Sequence, residues 1–491
     1  MSAFSHFYTS SLALLTDLYQ ISMSYGYWKS GLHGKEAVFH QFFRRSPFQG
    51  SYTIAAGLEI LVDYLERFKF DSSDLTYLES LKSSEGKPLF EKDFLDYLGE
   101  MTFTCDVDAI PEGTVVFPQE PLVRVQGPLI QCQILESALL NIINFSTLIA
   151  TKASRICLAA KDDEVIEFGL RRAQGIDGAL TASRSAYIGG CHATSNLLAG
   201  KLFGIPVKGT HSHSWVMVFD DELEAFQKYA ECMPSNCVFL VDTYDTIEGV
   251  KKAIEVGQWL KSKGKRLLGV RLDSGDLAYL SIKSREMLDA AGFQDTRIVA
   301  SNELDENVIS ELKQQGAQIT VWGVGTNLVT GKGQTALDGV YKLSAIRLDK
   351  EWKYKIKLSE QMMKTSDPGI LQVKRFYNEQ ENVADAIYDI HHQNGDTFTI
   401  INLLDQTKQQ TLPTTLHSKD LLVPIFRKGK RVYALPSLQE IRNHSKQELE
   451  MFHPSIKRFL NPHQYVVGME KSLYQLKVEL IKNIRSHSEK S

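Results

Sequence analysis

Residues 267–280 read LLGVRLDSGDLAYL. A short apolar strand, Leu267–Val270, runs into Arg271, Asp273, Ser274 and Gly275, and a stretch with helical spacing follows. The same pattern recurs through the middle of the chain. Strands are predicted at Val165–Phe168, Ile205–Lys208, Val238–Val241, Leu267–Val270, Arg297–Ala300, Ile319–Trp322 and Val340–Leu343, with starts 21 to 40 residues apart. That is the rhythm of βα units, because parallel neighbours need a crossover of a dozen or more residues. Six or seven such units predict closure into an irregular parallel α/β barrel. An open doubly wound sheet is the alternative, although no G-x-G-x-x-G follows the first strand.

On either side of residues 151–345 the pattern changes. Residues 1–150 read as an α+β domain. Helical spacing runs from Ser10 to Trp28, an aromatic strand covers Ala37–Arg45, and helices are expected around Gly57–Phe68 and Glu91–Leu98. A strand pair is expected at Thr114–Phe117 and Leu122–Val125, across the turn Pro118–Pro121. Residues 346–491 read as β-rich (Phe398–Asn402, Leu421–Phe426, Arg431–Ala434), then as a helical tail from Pro436 to about Ile484 with a frayed end, packing with the N-terminal domain. The barrel is thus expected to be flanked by an α+β domain built from both ends of the chain.

Composition narrows the class. A 491-residue chain that is 43% hydrophobic and 23% charged is globular and too long for a single core. A net charge of −4 gives no electrostatic case for binding a nucleic-acid backbone. The six cysteines show no C-x-x-C spacing and read as buried thiols in a reducing compartment. The most apolar long segment, Leu129–Ala160, carries Glu136, Lys152 and Arg155 and reads as a buried helix, not a membrane span. With Asp17 interrupting the only early apolar run, no signal peptide is expected, and the cytoplasm is the expected location.

In a parallel barrel the active site gathers where the strands end. The residues there are rich in Arg, Asp, His, Gly and hydroxyls: Phe168–Arg172, Gly209–Ser214, Asp242–Asp245, Arg271–Asp276, Ser301–Glu303 and Gly323–Asn327. The Gly323–Asn327 turn and Ser301 can receive an anion on backbone N–H groups, or serve as plain turns and caps. Arg271 with Asp273, and Asp242 with Tyr244, can grip a phosphate and its Mg²⁺, or form a structural ion-pair network. His211-Ser212-His213 could belong to a zinc hydrolase, but no further His follows before His391. A single working histidine, His213, oriented by Asp242, is the better reading, with His211 structural. Phe168 with Arg171 and Arg172 offers an aromatic face and a cation for a flat acidic ring. His192 reads as packing.

LLTDLYQ (14–20), EFGLRRAQG (167–175), GTHSHS (209–214), VDTYDT (241–246), GVRLDSGD (269–276) and DGVYKL (338–343) together resemble the nicotinate phosphoribosyltransferase family. KLSE (357–360), Lys364 and Pro368-Gly369 also look like that family, so the resemblance extends from about residue 10 to the helical tail. It implies ATP-coupled transfer of phosphoribosyl from phosphoribosyl pyrophosphate to nicotinate, in the salvage route to NAD. It also implies a homodimer whose active site is shared between subunits. His213 matches the histidine that ATP phosphorylates, and Asp242 would orient it. Tyr19, reaching a partner's barrel, and Phe168 would sandwich the pyridine ring, with Arg171 and Thr210 beside it. Arg271 and Asp273 would meet phosphoribosyl pyrophosphate and its Mg²⁺; Ser301, Gly323, Gly325 and Thr326 would receive the 5-phosphate; Arg297 and Ser359 would add substrate contacts. The rivals are a nicotinamide enzyme, whose relatives place an Asp where this chain aligns His192, a quinolinate enzyme, a metal hydrolase, and a catalytically silent nucleotide-binding barrel.

Overall fold

The computed structural model describes residues 11–359, 365–392, 397–403 and 405–488. Two compact units divide the chain: Ile149–Thr335, and a second made of Met1–Leu148 with Ala336–Ser491.

The unit from Ile149 to Thr335 carries a parallel sheet of six strands: β1 (Glu164–Glu167), β2 (Ala193–Thr194), β3 (Val238–Leu240), β4 (Gly269–Leu272), β5 (Arg297–Ala300) and β6 (Val321–Val324). Their order is β2-β1-β6-β5-β4-β3, and an isolated parallel bridge from Thr194 to Val207 extends the β2 edge. No pairing joins that segment to β3 among the described residues. Side chains alternate as a pleated strand requires. Ile166, Val299 and Val321 share one face with Phe168 and Val238, whereas Val165, Val270, Ile298 and Trp322 are fully buried at the alternate positions. Helices follow the strands because each loop supplies a start signal: Asp245, Asp276 and Asp305 accept backbone N–H groups as N-caps of Thr246–Ser262, Leu277–Ala290 and Glu306–Gln314. A cavity of about 540 Å³ is lined by Ile166, Phe168, Val207, Val238, Val299 and Val321, among others.

The second unit has two larger sheets, one of which combines distant parts of the chain. One has seven strands, in the order Glu351–Tyr354, Gly339–Leu348, Glu36–Phe43, Val123–Pro128, Asp106–Ala109, Val423–Arg427 and Lys430–Arg431. The other has six strands and lies wholly within residues 371–470. The stretch expected as a seventh parallel strand, Val340–Leu343, belongs to the first of these sheets and pairs antiparallel with Phe39–Phe42. An apolar run of this length reads the same in either kind of sheet. The expected hairpin across Pro118–Pro121 does not form: Val115–Val116 pairs with Thr53–Ile54, while Val123–Pro128 pairs with Glu36–Gln41 and Asp106–Ala109. The tail holds a strand, Val466–Glu470, between helices Leu438–Glu450 and Lys471–Ser488, so the end expected to fray is helical as far as Ser488. The first helix covers Leu18–Lys29; Ser10 lies outside the described residues. Leu129–Ala160 is helical apart from one break, at Leu135.

Candidate active site

The C-terminal ends of β1, β3, β4, β5 and β6 bring the strand-end residues together, because Asp242, Ser301, Gly323 and Gly325 continue the alternation of the cavity-lining Val238, Val299 and Val321, and Arg271 and Asp273 continue that of Leu267. Arg271 is the hub. Its Nε donates to Ser301 Oγ at 2.8 Å, Nη1 to Thr210 Oγ1 at 2.9 Å and Nη2 to Asp273 Oδ1 at 2.9 Å. The guanidinium carbon lies 5.5 Å from the centroid of the Phe168 ring, within cation–π range. Phe168 packs on bare backbone: a Cβ on Gly323 would stand 2.6 Å from two ring carbons.

Asp273 also accepts a short hydrogen bond from the Ser301 hydroxyl. Burial alone would raise the Asp273 pKa, but Ser301 and Arg271 outweigh it and hold the carboxyl below its ordinary value. Asp242 receives Asp273 N at 2.9 Å and Ser274 Oγ at 2.6 Å on Oδ2. Its Oδ1 is buried and accepts no hydrogen bond among the described residues.

His213 begins the short helix His213–Met217 and is partly exposed. Its Nε2 faces two carboxylates, Asp273 Oδ2 at 3.7 Å and Asp242 Oδ1 at 3.9 Å, and Nδ1 lies 3.2 Å from Thr243 Oγ1. His211 turns the other way. It is buried against Phe226, Tyr229 and Phe239, and its Nε2 takes the Leu240 N–H at 3.2 Å. Burial depresses its pKa to about 4, so it is neutral at pH 7. The two histidines therefore do not converge on one metal, and no cluster of three or more metal-ligating side chains occurs among the described residues.

Several expected residues stand elsewhere or act differently. Arg297 opens β5 at the opposite end of the strands, where it pairs with Glu164 at 2.8 Å, and lines the same cavity as Phe168 and Thr210; the sequence shows that it borders a strand, and the strand direction decides which end. Ser301 is engaged in bracing Arg271 and Asp273, and its backbone N–H is bonded to Leu272 O. Arg171 is exposed on the turn Leu170–Arg172. Gly325 precedes the short helix Thr326–Val329. Tyr19 and Ser359 belong to the other unit: Tyr19 is half exposed on the helix Leu18–Lys29, and Ser359 is half-buried beyond the strand Glu351–Tyr354. Glu360 and Lys364 lie outside the described residues. His192 precedes β2, with its Nδ1 accepting the Val165 N–H at 3.1 Å at the N-terminal end of the strands, so it cannot choose between acid and amide at the other end.

Thr243, Ser274 and Glu167 fall within the strand-end and family motifs read from the sequence, but the sequence alone gives them no role. Glu167 ends β1 and is buried, and a lone acid at a strand end reads as a solvated residue.

Profiles of the nicotinate phosphoribosyltransferase N-terminal domain, family and C-terminal domain match residues 14–144, 164–409 and 371–477. The nicotinate phosphoribosyltransferase of Bacillus subtilis (strain 168) is 43% identical over 498 residues, covering 98% of each chain. The chain belongs to the nicotinate phosphoribosyltransferase family. It is an enzyme of that type. The human nicotinate phosphoribosyltransferase is 33% identical over 523 residues, covering 94% of this chain and 95% of the human one. The crystal structure of human nicotinic acid phosphoribosyltransferase superposes with a TM-score of 0.81 at 30% identity, covering 95% of this chain and 99% of that one. A nicotinate-nucleotide pyrophosphorylase from Pyrococcus furiosus shares the fold, with a TM-score of 0.67 at 22% identity over 90% of this chain and 95% of that one. No helix among the described residues is long and apolar enough to cross a membrane.

Proposed function

We propose that this enzyme transfers phosphoribosyl from phosphoribosyl pyrophosphate to nicotinate and couples the transfer to ATP through a phosphohistidine at His213. The observation that carries this reading is the Arg271 hub, which ties Thr210, Asp273 and Ser301 into one rigid edge beside the Phe168 ring. A flat ring stacked on Phe168, with Thr210 and Arg171 toward its carboxylate, would hold its nitrogen toward the ribose of a substrate gripped at Arg271 and Asp273. The nitrogen lone pair forms the bond to C1 as the C1–O bond breaks, and pyrophosphate leaves with that electron pair. No base is needed, so the protein's task is positioning and charge neutralisation. Gly323, Gly325 and Thr326 would take the 5-phosphate on the backbone.

His213 is free for energy coupling. With carboxylates facing Nε2, the proton belongs there, and Nδ1 is left as the nucleophile that takes the γ-phosphoryl of ATP as ADP departs. Water later releases phosphate from the histidine. A Mg²⁺ ion carried by a polyphosphate needs only one or two protein carboxylates, and Asp273, partly exposed to the site, fits that need. Such an ion would neutralise charge growing on the leaving pyrophosphate.

Closure of the parallel sheet into a barrel is supported by Val207 and Val238, from its two edges, lining one cavity. A homodimer in which Tyr19 and Ser359 complete a partner's site is supported by the exposed apolar row Leu15, Leu18, Tyr19 and Met23. The six free cysteines suit the cytoplasm. The test is pyrophosphate release with nicotinate, nicotinamide and quinolinate in parallel, each with and without ATP. Nicotinate is expected to be used, with ATP raising the rate; preference for either competitor would overturn the assignment.

A further inference from the structure

Glu167 lies at the centre of a buried network that the reaction outlined above does not use. Its Oε1 accepts the Gly169 N–H, and its Oε2 accepts the hydroxyls of Ser183 at 2.8 Å and Thr194 at 2.6 Å. Thr194 ends the neighbouring strand β2 and Ser183 sits on the helix Gly175–Ile188. Asn196 closes the network, bonding Thr194 Oγ1 through its backbone N–H and Ser183 Oγ through its side chain. A carboxyl group accepts at both oxygens, and Thr194, Gly169 and Ser183 all offer it donors; burial outweighs them and leaves its pKa raised, so it is the directed hydrogen bonds that fix this group in place.

What this network holds in place is Phe168. Its main chain is bonded on both sides: Phe168 N donates to Val324 O at 2.8 Å, and Gly169 N, the next residue, donates to Glu167. Gly169 admits no side chain, since a Cβ there would come within 2.1 Å of Val329 and 2.9 Å of Glu167 Oε1. The backbone on which Phe168 turns from β1 toward the cavity is therefore set by the Glu167 carboxylate, and the turn Leu170–Arg172, with Arg171, continues from it.

We propose that Glu167 is a positioning residue for the aromatic platform, fixing the Phe168 ring for the pyridine substrate and so governing affinity for nicotinate without touching it. The inference rests on the reading that Phe168 stacks on the pyridine. Glu167→Gln keeps the size but puts an NH₂ against donors; Ser183 can then turn its hydroxyl to Ala179 O, which lies within reach at 3.0 Å. The expected result is a nicotinate KM raised roughly tenfold, the effect of losing one hydrogen bond to a buried carboxyl group, with kcat and the KM for phosphoribosyl pyrophosphate within about twofold of wild type. A purely structural role would lower the yield of folded enzyme and shift both KM values together or neither.

Thr194→Val removes one donor to Glu167 and the acceptor of the Asn196 N–H but leaves the Gly169 contact, so it should raise the nicotinate KM by less, roughly threefold, and it supplies the test if Glu167→Gln does not fold. Phe168→Ala run in parallel separates the two layers of the argument. An unchanged nicotinate KM in Phe168→Ala removes the platform and this inference with it. A raised KM in Phe168→Ala, with wild-type nicotinate KM in both Glu167→Gln and Thr194→Val, overturns the positioning role alone.

Discussion

The sharpest single perturbation of the site is one added methyl group. Gly323 lies on β6 under the Phe168 ring, and an alanine Cβ there would stand 2.6 Å from both Cδ2 and Cε2. Carbon atoms in contact settle at roughly 3.5–4.0 Å, so the ring must retreat by about 1 Å. The retreat moves the ring relative to Arg271, which lies 5.5 Å from its centroid and is itself tied to Thr210, Asp273 and Ser301, and into the cavity where the substrate ring would stack. Overpacking of this kind costs about 1–3 kcal/mol. A displacement of about 1 Å near a reacting centre can cost on the order of 100-fold in rate. Gly323→Ala is therefore expected to lower kcat/KM for nicotinate by roughly 10- to 100-fold, with the KM for phosphoribosyl pyrophosphate within about twofold. Initial-rate measurements of pyrophosphate release, with each substrate varied in turn, provide the assay. Gly325→Ala is the graded control, since its Cβ would lie 3.1 Å from the Phe168 carbonyl oxygen and needs a shift of only tenths of an ångström. Wild-type nicotinate kinetics in Gly323→Ala would refute the placement of the ring.

Asp242→Asn keeps the hydrogen bonds of Oδ2 within reach but removes the charge facing His213 Nε2; stimulation by ATP should fall roughly tenfold, measured as the ratio of rates with and without ATP. Arg375 is fully buried and bonded to Asp385, Glu448 and the Val115 carbonyl. Arg375→Met strands two buried carboxylates and should cost about 3–5 kcal/mol in urea unfolding, and an unchanged midpoint would show the pair is not needed. Burial holds His211 neutral until pH falls to about 4, whereas an unfolded histidine takes its proton near pH 6.5. Between those values the unfolded chain binds more protons, so His211 contributes its full stability above about pH 6.5 and loses up to ~3 kcal/mol as pH falls toward 4. Urea midpoints of wild type and His211→Asn should converge as pH drops through that window; parallel curves would contradict this.

Where periodicity and strand-end chemistry agree, the fold can be read from sequence. Arg297–Ala300 is a strand over the residues expected, and His211 and His213 divide into a buried and a partly exposed histidine, as the aromatic neighbours of one and the carboxylates of the other require. What could not be read depended on partners distant in the chain. Ala193–Thr194 is too short to leave an alternation, and Val340–Leu343 gives no sign of which sheet it joins. Arg297 borders a strand, but the direction of that strand places it away from Arg271. The role of Glu167 is set by Ser183 and Thr194, residues 16 and 27 positions away whose approach no local pattern announces.

His213 is where the proposed coupling to ATP is tested most directly. Incubation with ATP labelled in the γ-phosphoryl group should leave an acid-labile, alkali-stable label on the wild-type enzyme. His213→Ala should carry none, while retaining a basal transfer rate that ATP no longer raises. Label or ATP stimulation persisting in His213→Ala would contradict it.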